Sequence, residues 1–211
     1  MDHSLILVDD NDSVIGYGEK IDIHQRRALH RAFSIYVYNQ YDRTILLQKR
    51  ALCKYHSGGL WSNTCCSHQY RYESVFESLR RCMNDEIGIS PSFLDSPDLS
   101  DFNAMSILTC KDGTLSFVGK YKYDVSFGNL GEAEIDWVFL FTPNHDVIDK
   151  IEAVPSEVEE LRWISMSELD IWFNQSPNQF TFWFKGTYSM IKAFMIKNYN
   201  KKWLYGENHQ L

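Results

Sequence analysis

A chain of 211 residues is long enough to bury a full hydrophobic core, and a single domain over residues 1–211 with N- and C-terminal extensions is the expectation. Hydrophobic residues make up 44% and charged residues 23%, ordinary globular values, and no apolar stretch approaches the roughly 20 residues that a membrane-spanning helix needs. The formal net charge of −7 weighs against a general nucleic-acid role, because phosphate backbones are bound by basic surfaces.

Met1-Asp2-His3-Ser4, followed by Leu5-Ile6-Leu7-Val8, lacks the basic start and small-residue cleavage site of a secretory signal, so a cytoplasmic protein is expected. Alternating or β-rich runs predict strands at 32–38, 44–48, 60–65, 105–109, 115–123 and 135–141, separated by turn formers such as Asn39 and Lys111-Asp112-Gly113. Between the third and fourth of these, residues 74–87 predict a helix: Val75, Leu79, Met83 and Ile87 recur every four residues and Gly88 is placed to end it. Further helices are predicted over 165–173, where Ser165 and Glu168 have capping-box spacing, and over 182–199, after a loop at 174–178 that contains Pro177. Strands with few helices point to an α+β or α/β fold without internal repeats. The five cysteines include no CxxC pair, and Cys65 and Cys66 are adjacent, so reduced thiols are expected rather than a disulfide scaffold.

Residues 67–89 fall in the register G-x5-E-x7-R-E-U-x-E-E-x-G-U, where U is aliphatic. Glu73, Arg81, Met83, Glu86, Gly88 and Ile89 match it, and Ser67, Cys82 and Asp85 depart from it. The segment resembles the Nudix box, a loop and helix whose carboxylates hold a hard cation bridging diphosphate oxygens. The carboxylate absent at Cys82 weakens a reading as an ordinary Nudix hydrolase. Just before the box, Leu60-Trp61-Ser62-Asn63-Thr64-Cys65-Cys66-Ser67-His68 resembles the W-[ST]-N-[ST]-x-C-[GS]-H signature of type 1 isopentenyl-diphosphate isomerases. Leu29-His30-Arg31-Ala32-Phe33-Ser34, Gly131-Glu132-Ala133-Glu134-Ile135-Asp136 and Thr181-Phe182-Trp183-Phe184-Lys185 resemble further family segments, in family order, with Phe182 where the family has proline. The resemblance spans residues 5 to 200 or so. It implies a Nudix fold, a mixed β-sheet sandwiched between helices, and interconversion of isopentenyl and dimethylallyl diphosphate.

The resemblance also implies roles. Cys66 and Glu134 would give and take protons, with Tyr123 assisting the glutamate and Tyr121 as the alternative. His24, His30, His68, Glu132 and Glu134 would hold one divalent transition ion, Mn²⁺, Zn²⁺ or Fe²⁺, which suits a mixed imidazole and carboxylate set. Glu86 would serve a separate Mg²⁺ on the substrate diphosphate, and no flavin is expected. Lys20, Arg50 and Lys54 would grip the diphosphate, and the faces of Trp183 and then Trp61 would stabilise a carbocation. Arg81 stands open between binding the anion and supporting the helix. The partner is a small prenyl diphosphate, with no nucleic acid or membrane, and the chain is expected to be a monomer or weak homodimer. Cys53, Cys65, Cys110, His3, His56, His145 and His209 carry no signature and read as ordinary packed or hydrogen-bonded side chains. Two other functions compete: a Nudix hydrolase, which needs an intact acidic box and no cysteine, and a diphosphate-sensing module, which needs neither Cys66 nor Glu134.

Overall fold

The computed structural model describes residues 2–54, 56–92, 107–128, 130–199 and 204. The strands are β1 (Leu5–Val8), β2 (Val14–Gly18), β3 (His30–Asn39), β4 (Thr44–Arg50), β5 (Trp61–Ser62), β6 (Cys65–His68), β7 (Ile107–Cys110), β8 (Gly113–Phe127), β9 (Leu130–Pro143) and β10 (Val158–Ser165). The helices are α1 (Lys20–Arg26), α2 (Val75–Ile87), α3 (His145–Ile148), α4 (Met166–Gln175) and α5 (Phe184–Asn198). Residues 105 and 106 of the predicted 105–109 strand, and His209, lie outside the described residues.

The strands form one mixed sheet with the order β10-β4-β3-β9-β8-β7 along its main path. Its centre is the parallel pair of β3 and β9, and β8 and β9 make a long antiparallel hairpin. Strand alternation divides two cores. Phe33, Ile35 and Val37 of β3, with Ile135, Trp137, Phe139 and Phe141 of β9, face Leu79, Met83 and Ile87 of α2. Tyr36 and Tyr38, with Val138 and Leu140, face Phe184, Tyr188 and Ile191 of α5 and Leu169 of α4. Each such fully buried aliphatic or phenylalanine side chain contributes roughly 1.5–3 kcal/mol, so the sheet is held from both faces.

The predicted helices form with the caps their sequences carry. In α2, Ser74 and Glu77 make a reciprocal capping box and Gly88 ends the helix at φ 70°, a left-handed conformation that glycine adopts without Cβ strain. In α4, Ser165 and Glu168 make the expected capping box. Within α5, Gly186 lets the helix settle on β8: a Cβ there would stand 2.1 Å from the Tyr121 ring. The predicted strand at 60–65 instead breaks in two. Ser62 pairs with Gln48 of β4, whereas Cys65 pairs with Ile35 of β3. Side chains carry the chain across: Thr64 Oγ1 donates to Leu46 O at 2.5 Å and accepts from Val37 N at 2.8 Å, and Asn63 Nδ2 donates to Cys65 O at 2.5 Å.

Candidate active site

At the N-terminal ends of β3 and β9 the face turned toward α5 becomes polar, carrying His30 and Ser34 on one strand and Glu132, Glu134 and Asp136 on the other. Cys66 and His68 of β6 lie beside Ser34 and Ala32, which puts them on the same face. Ser34, Cys66, His68, Glu132, Glu134 and Asp136 line a cavity of about 490 Å³ that Trp183, just before α5, also lines.

Two further imidazoles gather behind His68, which lines the cavity. Helix α1 starts on Glu19, whose carboxylate accepts from Ile21 N and Asp22 N, and ends at Arg27 with φ 51°. That left-handed residue reverses the chain and brings the His24 and His30 rings to 4.9 Å, with His68 at 5.5 Å and 5.0 Å from them. His24 Nδ1 and His30 Nδ1 lie 2.5 Å and 2.9 Å from the carbonyls of Lys20 and Ala28, which leaves Nε2 as the ligand nitrogen of each ring. Donor atoms of His24, His30, His68 and Glu134 all lie within 4.8 Å of one another. Glu134 Oε1 stands 3.3 Å from His30 Nε2 and 3.1 Å from His68 Nε2, and His30 Nε2 is buried without an aligned hydrogen bond. Three imidazoles and a carboxylate around a point, one nitrogen of them unsatisfied, fit a divalent transition ion. Glu132 adjoins this group without being one of the four: its Oε1 lies 2.8 Å from His56 Nε2, and its Oε2 lies 3.2 Å from the Tyr123 hydroxyl that also bonds Glu134.

Burial dominates the electrostatics. It would raise the Glu134 carboxyl, but His30 and His68 outweigh it and hold the group well below the ordinary carboxylate range. Burial drives His68 down to about 3, against the pull of Glu134, so this ring is neutral and able to ligate. It also pushes the Cys66 thiol well up, although Arg50 Nη1 lies 3.5 Å from the sulfur and opposes the shift. Cys66 is therefore a protonated thiol at neutral pH. The Tyr123 hydroxyl donates to Glu134 Oε2 at 2.6 Å, while Tyr121 packs against Gly186.

The expected cations are also at the cavity. Lys20, Arg50 and Lys54 all line the cavity, with Lys54 ion-paired to Glu157. Glu86 is there too, accepting from Gln48 Nε2 at 2.6 Å, and burial raises its carboxyl to about 7 against Arg50 and Gln48. Trp183 is held in place by its Nε1, which donates to Asn63 Oδ1 at 2.9 Å, so the tryptophan of one motif is tied to the asparagine of another 120 residues away. Its ring faces the Arg50 guanidinium at 5.4 Å and the Tyr123 ring at 6.3 Å. Trp61 is not brought to the cavity. It packs 5.1 Å from the Trp172 ring beneath the Arg162 guanidinium. His56, on the loop between β4 and β5, carries no sequence signature of a functional role, yet it meets Glu132 and lines the cavity.

The NUDIX domain model matches residues 28–184. Among curated proteins, isopentenyl-diphosphate Delta-isomerase 2 of Aromatoleum aromaticum is 36% identical over 184 residues, covering 87% of this chain and 83% of its own length. The protein of the same name from Photorhabdus laumondii is 35% identical over 186 residues, covering 88% and 90%. The chain belongs to the Nudix family, in its isopentenyl-diphosphate Delta-isomerase branch. Of solved structures, one from Deinococcus radiodurans aligns with a TM-score of 0.55 at 13% identity over 82% of this chain and 89% of that one. The MutT protein of Methanosarcina mazei aligns with a TM-score of 0.51 at 15% identity over 81% and 95%. At such identities the likeness shows the Nudix fold alone. Both a match to the Nudix box and a departure from it have a structural expression. Arg81 makes a bidentate pair with Glu73 at 2.8 Å and 3.0 Å and donates to His68 O at 2.9 Å, so it fastens the Nudix helix to β6. Cys82, standing where a Nudix hydrolase has its first glutamate after the arginine, is buried in the core beside Cys65. Among the described residues no helix is long and apolar enough to cross a membrane.

Proposed function

We propose that this chain interconverts isopentenyl diphosphate and dimethylallyl diphosphate by adding a proton at the terminal alkene carbon and removing one from the carbon two positions from the diphosphate oxygen. The observation that carries the reading is the pairing, on one sheet face around one cavity, of the Cys66 thiol with the Tyr123-bonded carboxylate of Glu134. One group gives a proton and the other takes one, exchanging roles with the direction of reaction. Relatives named as isopentenyl-diphosphate Delta-isomerases support the same chemistry.

Lys20, Arg50 and Lys54 grip the anionic tail, where charge-assisted contacts are strong. Trp183, fixed by Asn63, offers a π-face to the tertiary cation formed when the alkene is protonated, and the buried walls keep water from capturing it. Tyr123 orients the Glu134 carboxylate. His24, His30, His68 and Glu134, with Glu132 adjoining, would hold a divalent transition ion and Glu86 a Mg²⁺ on the diphosphate, which supply fixed positive charge to the carboxylate and to the phosphate oxygens. The reading takes residues 1–211 as one cytoplasmic domain, active as a monomer or weak homodimer without flavin, nucleic acid or membrane.

A hydrolase would place a water-activating carboxylate at position 82, where this chain has a thiol 3.5 Å from Glu86 Oε1, and a sensor has no use for the paired thiol and carboxylate. Incubating the purified chain with isopentenyl diphosphate and Mg²⁺, and following both the carbon skeleton and phosphorus by NMR, separates these functions. Dimethylallyl diphosphate with the diphosphate intact supports the isomerase; released phosphate with no new alkene refutes it.

A further inference from the structure

His56 makes more directed contacts at the cavity edge than a packing residue needs. Its Nε2 lies 2.8 Å from Glu132 Oε1, its Nδ1 lies 3.2 Å from Ser57 Oγ, its ring stacks on Phe127 at 5.1 Å and 18°, and it meets the Trp183 ring edge-on at 6.0 Å. A carboxylate only accepts, so Nε2 carries the hydrogen toward Glu132, and Nδ1 is left to the Ser57 hydroxyl. Ser57 itself is held at φ 53°, a strained conformation for a residue with a side chain, and so the loop is shaped to present this imidazole. On the other side, Glu132 Oε2 reaches the Tyr123 hydroxyl that also bonds Glu134.

We propose that His56 is a positioning residue for Glu132: it holds one carboxylate oxygen and thereby directs the other toward the corner where His24, His30, His68 and Glu134 meet. The inference rests on the metal group of the proposed function and extends it to a loop that contributes no ligand of its own. A carboxylate with one oxygen already bonded adds to an ion's coordination with little further ordering. Outer partners of this kind typically change metal affinity by about 10- to 100-fold. The same imidazole stacks on Phe127 and meets Trp183 edge-on, so it joins these rings to the Glu132 carboxylate.

The test compares Zn²⁺ affinity, by competition with a chromogenic chelator, in the purified full chain and three variants of it. His56→Phe keeps the stack on Phe127 and loses the donor; His56→Gln keeps an N–H donor; His24→Ala removes a ligand and calibrates the site. The expected result is Zn²⁺ binding weakened about 10- to 100-fold in His56→Phe, with His56→Gln close to the parent chain and thermal unfolding similar in all. His56→Phe binding Zn²⁺ as tightly as the parent overturns the proposal. So does equal weakening in His56→Phe and His56→Gln, which would mean that ring shape and not the donor matters. If His24→Ala binds Zn²⁺ as well as the parent does, the metal group itself is wrong and the positioning role falls with it.

Discussion

Cys65 and Cys66 are neighbours in sequence that point to opposite faces of β6, so replacing each with alanine should damage different properties. Cys65 is fully buried in the core with Leu79 and Met83, beside Cys82. Deleting its sulfur leaves a small cavity costing about 1 kcal/mol, comparable to losing one methylene, which lowers the melting temperature by about 2–4 °C in a chain of this size. Activity should stay within a few-fold. Cys66 is half-buried, lines the cavity and lies 3.5 Å from Arg50 Nη1. Cys66→Ala should leave the melting temperature nearly unchanged but lose about 10²- to 10⁴-fold in kcat, the usual contribution of a positioned proton-transfer group, or about 2.7–5.4 kcal/mol on the barrier. The two variants are compared by NMR turnover of isopentenyl diphosphate and by thermal unfolding. Turnover within ten-fold of the parent chain in Cys66→Ala, or an equal loss in Cys65→Ala, would refute the assignment of the reacting thiol.

Removing the cationic wall should act on substrate binding: Arg50→Ala is expected to raise KM by about 10- to 100-fold, the worth of a charge-assisted contact. Lys54→Ala should have a smaller effect because Lys54 already spends its charge on Glu157; steady-state kinetics that show the reverse order would move the phosphate site. Tyr123→Phe keeps the ring and deletes the hydroxyl on Glu134, so kcat should fall by about ten-fold or more. Tyr121→Phe, altering a ring packed on α5, should leave kcat within a few-fold, and matching losses in the two would undo the distinction. Glu86 carries a pH signature in chelator-treated protein. The folded chain binds this proton more tightly than the unfolded chain, so stability present below about pH 4.5 is lost as pH rises through about 7. Glu86→Gln should therefore melt at the same temperature as the parent at pH 4.5 and higher at pH 8, by up to about 3 kcal/mol of stability; a constant difference across that range would show that burial does not hold the carboxyl's proton.

Periodicity was enough for α2, because its buried face repeats every four residues, and for the long strands, whose alternation separates the two cores. It was not enough for α1, which has seven residues, fewer than an amphipathic pattern needs to declare itself. His24 was reachable by motif resemblance alone. What unites it with His30 is the left-handed turn at Arg27, a residue type with no preference for that conformation. Strands β1, β2 and β10 also went unpredicted, the first two because they are short and the last because charges interrupt it: Glu159, Glu160 and Arg162 lie among its apolar residues. The break between β5 and β6 lay hidden because Asn63 and Thr64 replace backbone pairing with side-chain bonds, which alternation does not encode. His56 had no sequence signal at all. Its partner Glu132 is distant in the chain, and only the closure of the β4–β5 loop over the β8–β9 hairpin brings the two together.

The most direct measurement of the central claim is turnover in D₂O, with isopentenyl diphosphate and Mg²⁺ supplied to the metal-replete chain and the product read by proton, deuterium and phosphorus NMR. Proton addition at the terminal carbon predicts dimethylallyl diphosphate carrying deuterium in its new methyl group, an intact diphosphate, and loss of this product in both Cys66→Ala and Glu134→Gln. Free phosphate without an isomerised alkene, or deuterated product formed at an undiminished rate by either variant, would contradict it.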